Sequence, residues 1–225
     1  MIAIISDIHG NYPALQAVLK EIDSKEIETI ISLGDVAGYY CMVNECIEEL
    51  RKRNITNIMG NHDSYLLGKG QCPRSMTVNK CIEYQKRIIT KENIDYLSQS
   101  IEKLDTELFS ARHGGWTDPL DEYISDFDFS ITKEFNVHLF ISGHTHVQKI
   151  QTDGLNIYFN PGGVGQPRDN NPCAAYAIID DHNEVHLKRV SYNIDEIAIA
   201  MNKAGFENRL TDCLYEGIKI RTFGT

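Results

Sequence analysis

The chain opens by alternating short apolar runs with helical patterns, which limits it to a buried, largely parallel sheet with helices on its faces. Ile2 to Ser6 is an apolar run that ends at Asp7, and beyond a polar loop Leu15, Val18, Leu19 and Ile22 recur at the helical period. Thr29 to Leu33 repeats the strand. Val43 to Arg53 repeats the helix, with Val43, Cys46, Ile47 and Leu50 on one face, and Ile55 to Met59 supplies a third strand.

Downstream, Met76 to Ser98 reads as helical, with Cys81, Ile82, Ile88, Ile89, Ile94 and Leu97 as its apolar positions and Thr90 as a cap within it. Glu107 to Ala111 reads as a strand that delivers His113. The stretch from His113 to Phe135, rich in Gly, Asp and aromatics such as Trp116 and Tyr123, is expected to form a loop walling a pocket. Val137 to Ser142 is a strand ending in Gly143-His144-Thr145-His146. Val147 to Thr152 and Leu155 to Phe159 flank Asp153-Gly154, a two-residue hairpin signal, and Ala174 to Ile179 pairs with Val185 to Ser191. Asp195 onward is helical, and the last ten residues read as a loosely held tail.

With 225 residues and no repeat, linker or low-complexity segment, one domain spanning residues 1–225 is expected. No apolar run approaches the ~20 residues of a membrane span, and Met1 leads straight into a strand pattern, so a soluble cytoplasmic protein without a membrane partner is expected. The six cysteines form no C-x-x-C pair and read as free thiols. A net charge of −10 argues against a long nucleic acid as partner, because the far field repels a polyanion. A small phosphate ester held by bound metal is compatible with that charge, and no feature of the pattern sets an oligomeric state.

Asp7, His9, Asp35, Asn61, His62, His113, His144 and His146 share one placement, just beyond the C-terminal end of an expected strand. Ligands of open α/β sheets bind at that edge, so segments distant in sequence converge there. Alone, each residue is most simply a turn former, a helix cap or a satisfied core histidine. Together they include a D-x-H and an H-x-H pair, and His62 aside they offer seven oxygen and nitrogen donors. Carboxylates, an amide oxygen and imidazoles without thiolate suit Mn, Fe, Ni, Zn or Mg, with Mn taken first. Seven donors exceed the needs of one ion, whereas two divalent ions ~3.5–4 Å apart with one bridging carboxylate would use them all. His62, beside the ions, could act as general acid on the leaving oxygen, and Asp63 either orients it or caps the following helix. Arg168 could fork onto phosphate oxygens, with an ion pair to Asp169 as the alternative. Asn11 and Tyr39 are further candidates for substrate contact. His138, His182 and His186 read as structural or surface residues.

These blocks, Asp7-Ile8-His9-Gly10-Asn11, Gly34-Asp35, Gly60-Asn61-His62-Asp63, His113 and Gly143-His144-Thr145-His146, resemble the signature blocks of the calcineurin-like metallophosphoesterases. The runs ISDIHGNYPAL, GDVAGY and NPGGVGQPRD resemble the YfcE-like phosphodiesterase branch. The resemblance implies a four-layer αββα sandwich, an α/β fold of two mixed sheets flanked by helices. It further implies that Asp7, His9, Asp35 and His146 hold one metal and Asp35, Asn61, His113 and His144 the other, with Asp35 as bridge. The implied reaction is hydrolysis of phosphodi- or phosphomonoesters by in-line attack of a metal-bridging hydroxide.

The chain departs from the Ser/Thr phosphatases in having Gly38-Tyr39 where they carry an Asp-Arg pair, and from the closer branch at Tyr40-Cys41, Gly115-Trp116 and Gly163. These positions fall on loops around the site, so substrate range is open. Two alternatives stand beside the hydrolase: a catalytically silent scaffold of the same fold, as in the family's retromer subunit, and a nucleotide phosphohydrolase in which Trp116, Tyr39 or Tyr40 stacks on a base.

Overall fold

The computed structural model describes residues 1–220. Along the chain run β1 (Ile2–Ile5), α1 (Tyr12–Asp23), β2 (Thr29–Ser32), α2 (Val43–Lys52), β3 (Thr56–Asn57), α3 (Asn61–Leu66), α4 (Met76–Ile88) and α5 (Lys91–Ser98). They are followed by β4 (Leu104–Asp105), β5 (Phe109–Ala111), a 3-10 turn (Phe129–Glu134), β6 (Leu139–Ile141), β7 (Gln148–Thr152) and β8 (Ile157–Pro161). The order closes with β9 (Ala174–Ile179), β10 (Val185–Val190), α6 (Ile194–Lys203) and α7 (Arg209–Glu216).

Local chemistry accounts for most of these boundaries. Asn11 caps α1 by accepting from the Ala14 amide, Pro13 sits in the first turn, and the helix buries Leu15, Val18, Leu19 and Ile22. Each such side chain gives roughly 1.5–3 kcal/mol of hydrophobic stabilisation before entropy is charged against it. The Met76–Ser98 pattern is two helices, because Ile89 turns extended and the Thr90 hydroxyl accepts from the Asn93 amide to start α5. The hairpin at Asp153-Gly154 forms, but Thr152 pairs with Ile157, so four residues rather than two make its loop. Asp153 Oδ1 accepts from the amides of both Leu155 and Asn156, which holds the longer loop closed.

The strands make two mixed sheets of five, in the orders β10-β9-β1-β2-β3 and β4-β5-β6-β8-β7. β1, β2 and β3 are parallel, as are β5, β6 and β8, while β9, β10, β4 and β7 pair antiparallel at the margins. Ile4, Ile31, Leu33 and Ile58 of the first sheet pack against Phe109, Leu139, Ile141 and Phe159 of the second, forming the layer between the sheets. On the outer face of the first sheet, residues of α1, α2 and α4 to α7 join Ala3, Ile5 and Tyr176 in the larger core. The outer face of the second sheet is covered by the 113–137 segment and its 3-10 turn, through Trp116, Ile124, Phe127 and Phe129 against Phe140 and Tyr158. No described helix is long and apolar enough to cross a membrane. Of the expected C-terminal tail, residues 221–225 lie outside the described residues; within it, α7 reaches Glu216 and Ile220 is buried, so that part is docked rather than loose.

Candidate metal centre

Both sheets send the ends of their parallel strands to one place. Asp7 and His9 follow β1, Asp35 follows β2, Asn61 and His62 open α3 just past β3, His113 follows β5, and His144 and His146 follow β6. Bonds between the sheets lock this junction: the His144 amide donates to Asp7 Oδ2 at 3.0 Å, and His113 Nδ1 lies 2.9 Å from the Leu33 carbonyl. Asp7, His9, Asp35, His144 and His146 all hold left-handed φ angles, between 53° and 63°. Each such residue costs on the order of 1–3 kcal/mol, and such strain concentrates where function requires a side chain to be aimed. Gly60 is needed beside them, because a Cβ there would overlap Asp35 Oδ1.

The side chains form two groups joined by one carboxylate. In the first, His9 Nε2 lies 3.0 Å from His146 Nε2, Asp7 Oδ1 is 3.3 Å from His146 Nε2, and Asp35 Oδ2 is 3.7 Å from His9 Nε2. In the second, His113 Nε2 lies 3.1 Å from Asn61 Oδ1, 3.2 Å from His144 Nδ1 and 3.5 Å from Asp35 Oδ2. Metal bonds of about 2.0–2.2 Å at tetrahedral or octahedral angles put neighbouring donors roughly 2.8–3.6 Å apart, and all of these spacings but the 3.7 Å one fall in that range.

His9, His113 and His146 each turn Nδ1 to a carbonyl, of Ala37, Leu33 and Gln166, at 2.9, 2.9 and 2.6 Å. A carbonyl only accepts, so each Nδ1 carries the proton and each Nε2 presents a lone pair inward. Two lone pairs 3.0 Å apart, as on His9 and His146, repel unless a cation lies between them. Asp7 follows the same logic: Oδ2 accepts from Ser6 and the His144 amide, whereas the buried Oδ1 has no hydrogen-bond partner and faces the imidazoles. Asp35 Oδ1 accepts from the His62 amide at 2.8 Å, which frees Oδ2 to serve both groups.

Burial pushes the Asp7 and Asp35 carboxyls up, Asp35 further because Asp7 and Asp63 lie beside it. Burial likewise holds His9, His62, His144 and His146 below the usual imidazole range. Without a cation the carboxylates are therefore penalised for being charged, and a divalent ion reverses that penalty while using the neutral imidazoles as they stand. The residues fit a metal.

The amino-acid sequence matches the calcineurin-like phosphoesterase superfamily domain model over residues 1–184. The chain belongs to that superfamily. This phosphoesterase-family chain is 32% identical over 96% of both chains to the uncharacterized protein MJ0912 of Methanocaldococcus jannaschii. A metallophosphoesterase structure from Sphaerobacter thermophilus superposes with a TM-score of 0.83 at 30% identity, covering 96% of this chain and 98% of that one. The hypothetical protein PH1004 of Pyrococcus horikoshii shares the fold at a TM-score of 0.82 and 22% identity, covering 96% and 99%.

Around the metal-ligand candidates of this phosphoesterase fold, a cavity of about 190 Å³ is lined by Tyr39, His62, Arg74, Tyr123, Arg168 and Lys219 among others. His62 packs against His9, Tyr39 and Tyr65 with ring centroids 4.7, 5.1 and 5.9 Å away. Its Nε2 is 3.9 Å from Asp35 Oδ2, and its Nδ1 is buried without a partner. His62 is near enough to His9 and Asp35 to group with them. Asp63 does not orient His62. Its oxygens accept from the amides of Asp35, Ala37 and Gly60, so it caps α3 and ties that helix to the Asp35 loop.

The other candidates divide. Asn11 is fully buried, caps α1 and donates to Gly165 O and Tyr192 OH, so it fastens the loop and does not face the cavity. Tyr39 and Arg168 do line it, with Arg168 Nη2 donating to Tyr39 OH at 3.1 Å. The alternative pairing of Arg168 with Asp169 is not made, because Asp169 pairs with Arg189. Trp116 lies in the outer aromatic cluster with its indole N–H on Ser110 Oγ, and the buried Tyr40 hydroxyl accepts from Gln166; neither can stack on a base in the cavity.

Residues that sequence reasoning missed include Tyr123, whose hydroxyl accepts from Arg168 and whose ring packs 4.7 Å from His144. Asp121 lies 3.4 Å from His144 Nε2 and 2.5 Å from Arg74. Gln166 holds His146 through its carbonyl and Arg168 through its side chain. Only Gln166 had a signal, its place in the NPGGVGQPRD run.

Proposed function

We propose that this chain is one catalytic domain that hydrolyses small phosphodi- or phosphomonoesters at a binuclear divalent metal centre. The observation that carries the reading is the set of inward lone pairs on His9, His113 and His146, facing Asp7 Oδ1 and a shared Asp35 Oδ2. Asp7, His9, Asp35 and His146 would hold one ion, and Asp35, Asn61, His113 and His144 the other; Mn is the first choice, with Fe, Ni, Zn or Mg able to use the same donors. Two such ions, when bound, lower the pKa of a water and offset charge on phosphoryl oxygens.

The protein's own groups then orient the ester. Arg168, held by Gln166, Tyr39 and Tyr123, offers a preset guanidinium to a phosphoryl oxygen. His62 lines the cavity with Nε2 3.9 Å from Asp35 Oδ2, positioned to give a proton to the departing oxygen. Burial and Arg168 disfavour its charged form, and an arriving phosphoryl anion restores it. The cavity volume suits a compact ester better than a fully enclosed nucleotide. Six free thiols accord with a reducing cytoplasm as its location.

Chelator-stripped protein, assayed on a chromogenic phosphodiester and monoester with Mn²⁺, Ni²⁺, Mg²⁺ or Zn²⁺ restored, tests the proposal. Turnover should depend on the metal, and His62→Ala should lower kcat by about 10²–10⁴-fold while binding as much metal as the wild type. Inactivity with every metal and every ester would sink the hydrolase reading.

A further inference from the structure

The cavity beside the metal-ligand candidates carries more positive charge than one phosphate ester can use. Of the three Arg and Lys side chains that line it among the described residues, Arg74 is neutralised by Asp121 at 2.5 Å. Arg168 is not: its hydrogen bonds all go to neutral partners, the Gln166 amide and the hydroxyls of Tyr39 and Tyr123. Lys219 has no carboxylate within ion-pairing distance among the described residues. Asp35, the one carboxylate that lines the cavity among the described residues, belongs to the metal-ligand candidates.

Lys219 stands there because the fold puts it there. After α7 the chain reverses at Gly217, whose φ is 64° and where a Cβ would overlap the Asn171 backbone. The Asn170 amide donates to the Gly217 carbonyl at 2.9 Å, so the end of α7 is fastened to the same loop that carries Arg168. Ile220 is buried at the cavity wall and holds the segment from the other side. Desolvation, and after it the fields of Arg168 and Arg74, push the Lys219 ammonium's pKa down.

Lys219 adds a cation with no carboxylate partner among the described residues, beside an Arg168 whose field also reaches Asp7 and Asp35, and an arriving anion is favoured there. We propose that Lys219, with Arg168, forms a second anion subsite beside the metal centre, and that the substrate carries a second phosphate group joined to the one that is cleaved. The inference rests on the phosphoesterase reading for which phosphate is cleaved. It concerns binding, so the two can fail separately.

The test is calorimetric titration of the full-length, Mn²⁺-loaded protein with propyl phosphate and with propane-1,3-diol bisphosphate. The bisphosphate should bind about tenfold tighter or better. Lys219→Ala should shrink that ratio to roughly threefold, and Lys219→Glu should bring it to about one. Because Lys219 is exposed, neither substitution removes core packing, and thermal unfolding checks that both variants fold. A wild-type ratio within about twofold, the statistical value for two equivalent phosphates, overturns the subsite. So does a ratio unchanged in both variants, which would assign the advantage to the metals alone. Tight, Lys219-dependent binding without turnover of any ester would leave the subsite standing and remove the hydrolase reading.

Discussion

Replacing Asp35 by Asn should invert the order of stability between the metal-free and metal-loaded protein. The substitution is nearly isosteric and keeps Oδ1 as acceptor for the His62 amide, but it removes the charge on the oxygen shared by both donor groups. In metal-free protein that charge is buried beside Asp7 and Asp63, and its removal relieves an uncompensated group. The amide nitrogen can also donate toward the lone pairs of His9 and His113, 3.7 and 3.5 Å away. A gain of order 1–3 kcal/mol is expected, which for a chain of this size raises Tm by a few degrees at about 2–4 °C per kcal/mol.

With metal the sign reverses. Two ions, each present at about 100 times its Kd, add roughly 5.4 kcal/mol together, or about 11–22 °C in Tm. Losing the bridging charge should weaken each site by ~100-fold or more, leaving about 0.8 kcal/mol from the two ions and a shift of ~2–3 °C. The assay is thermal unfolding by circular dichroism at pH 7.5 for both proteins, after chelation and again with Mn²⁺. If Asp35→Asn melts below wild type in chelator and gains as many degrees from metal, Asp35 is not the bridge.

Acidification should destabilise the metal-free protein. His9, His62, His144 and His146 are held below their unfolded value, so under about pH 6.5 the unfolded chain takes up protons the folded one refuses, at ~1.4 kcal/mol per pH unit for each. The raised carboxyls of Asp7, Asp35 and Asp63 act in the opposite sense above about pH 3.8, so four imidazoles against three carboxyls should give a net loss between pH 6.5 and 5, steeper in Asp35→Asn; denaturant titrations at stepped pH would expose a rise instead. Asp63→Asn puts amide hydrogens against backbone donors from Asp35, Ala37 or Gly60 and should cost about 1.5–3 kcal/mol together with metal affinity, an outcome checked by urea unfolding and metal titration. Trp116→Ala should cost about 3 kcal/mol in stability and leave KM for any ester unaltered, because the indole packs on Phe127 and Phe140 outside the cavity; a raised KM in folded protein would contradict that placement.

The local pattern of residues carried a large share of this outcome. Strand-like runs ending at Asp7, Asp35, Asn61, His113 and His144 were readable because strand period, loop residues and metal-donor chemistry are all properties of short segments. Their meeting point followed from one topological rule, that parallel strands present their C-terminal ends to the same edge. What no segment could disclose was the choice of partner. Asp63 could orient His62 or bond backbone amides, and the close approach of the β2 and β3 loops gave it the amides. Arg168 was free to pair with Asp169 until β10 brought Arg189 to that carboxylate and left the guanidinium to the cavity. Trp116, adjacent in sequence to the site, was drawn away by the apolar outer face of the second sheet. Lys219 reached the site only because α7 ends against the loop following Arg168. Donor chemistry is written into short motifs, whereas the pairing of charges depends on which distant surfaces the packed core brings within a few ångströms of each other.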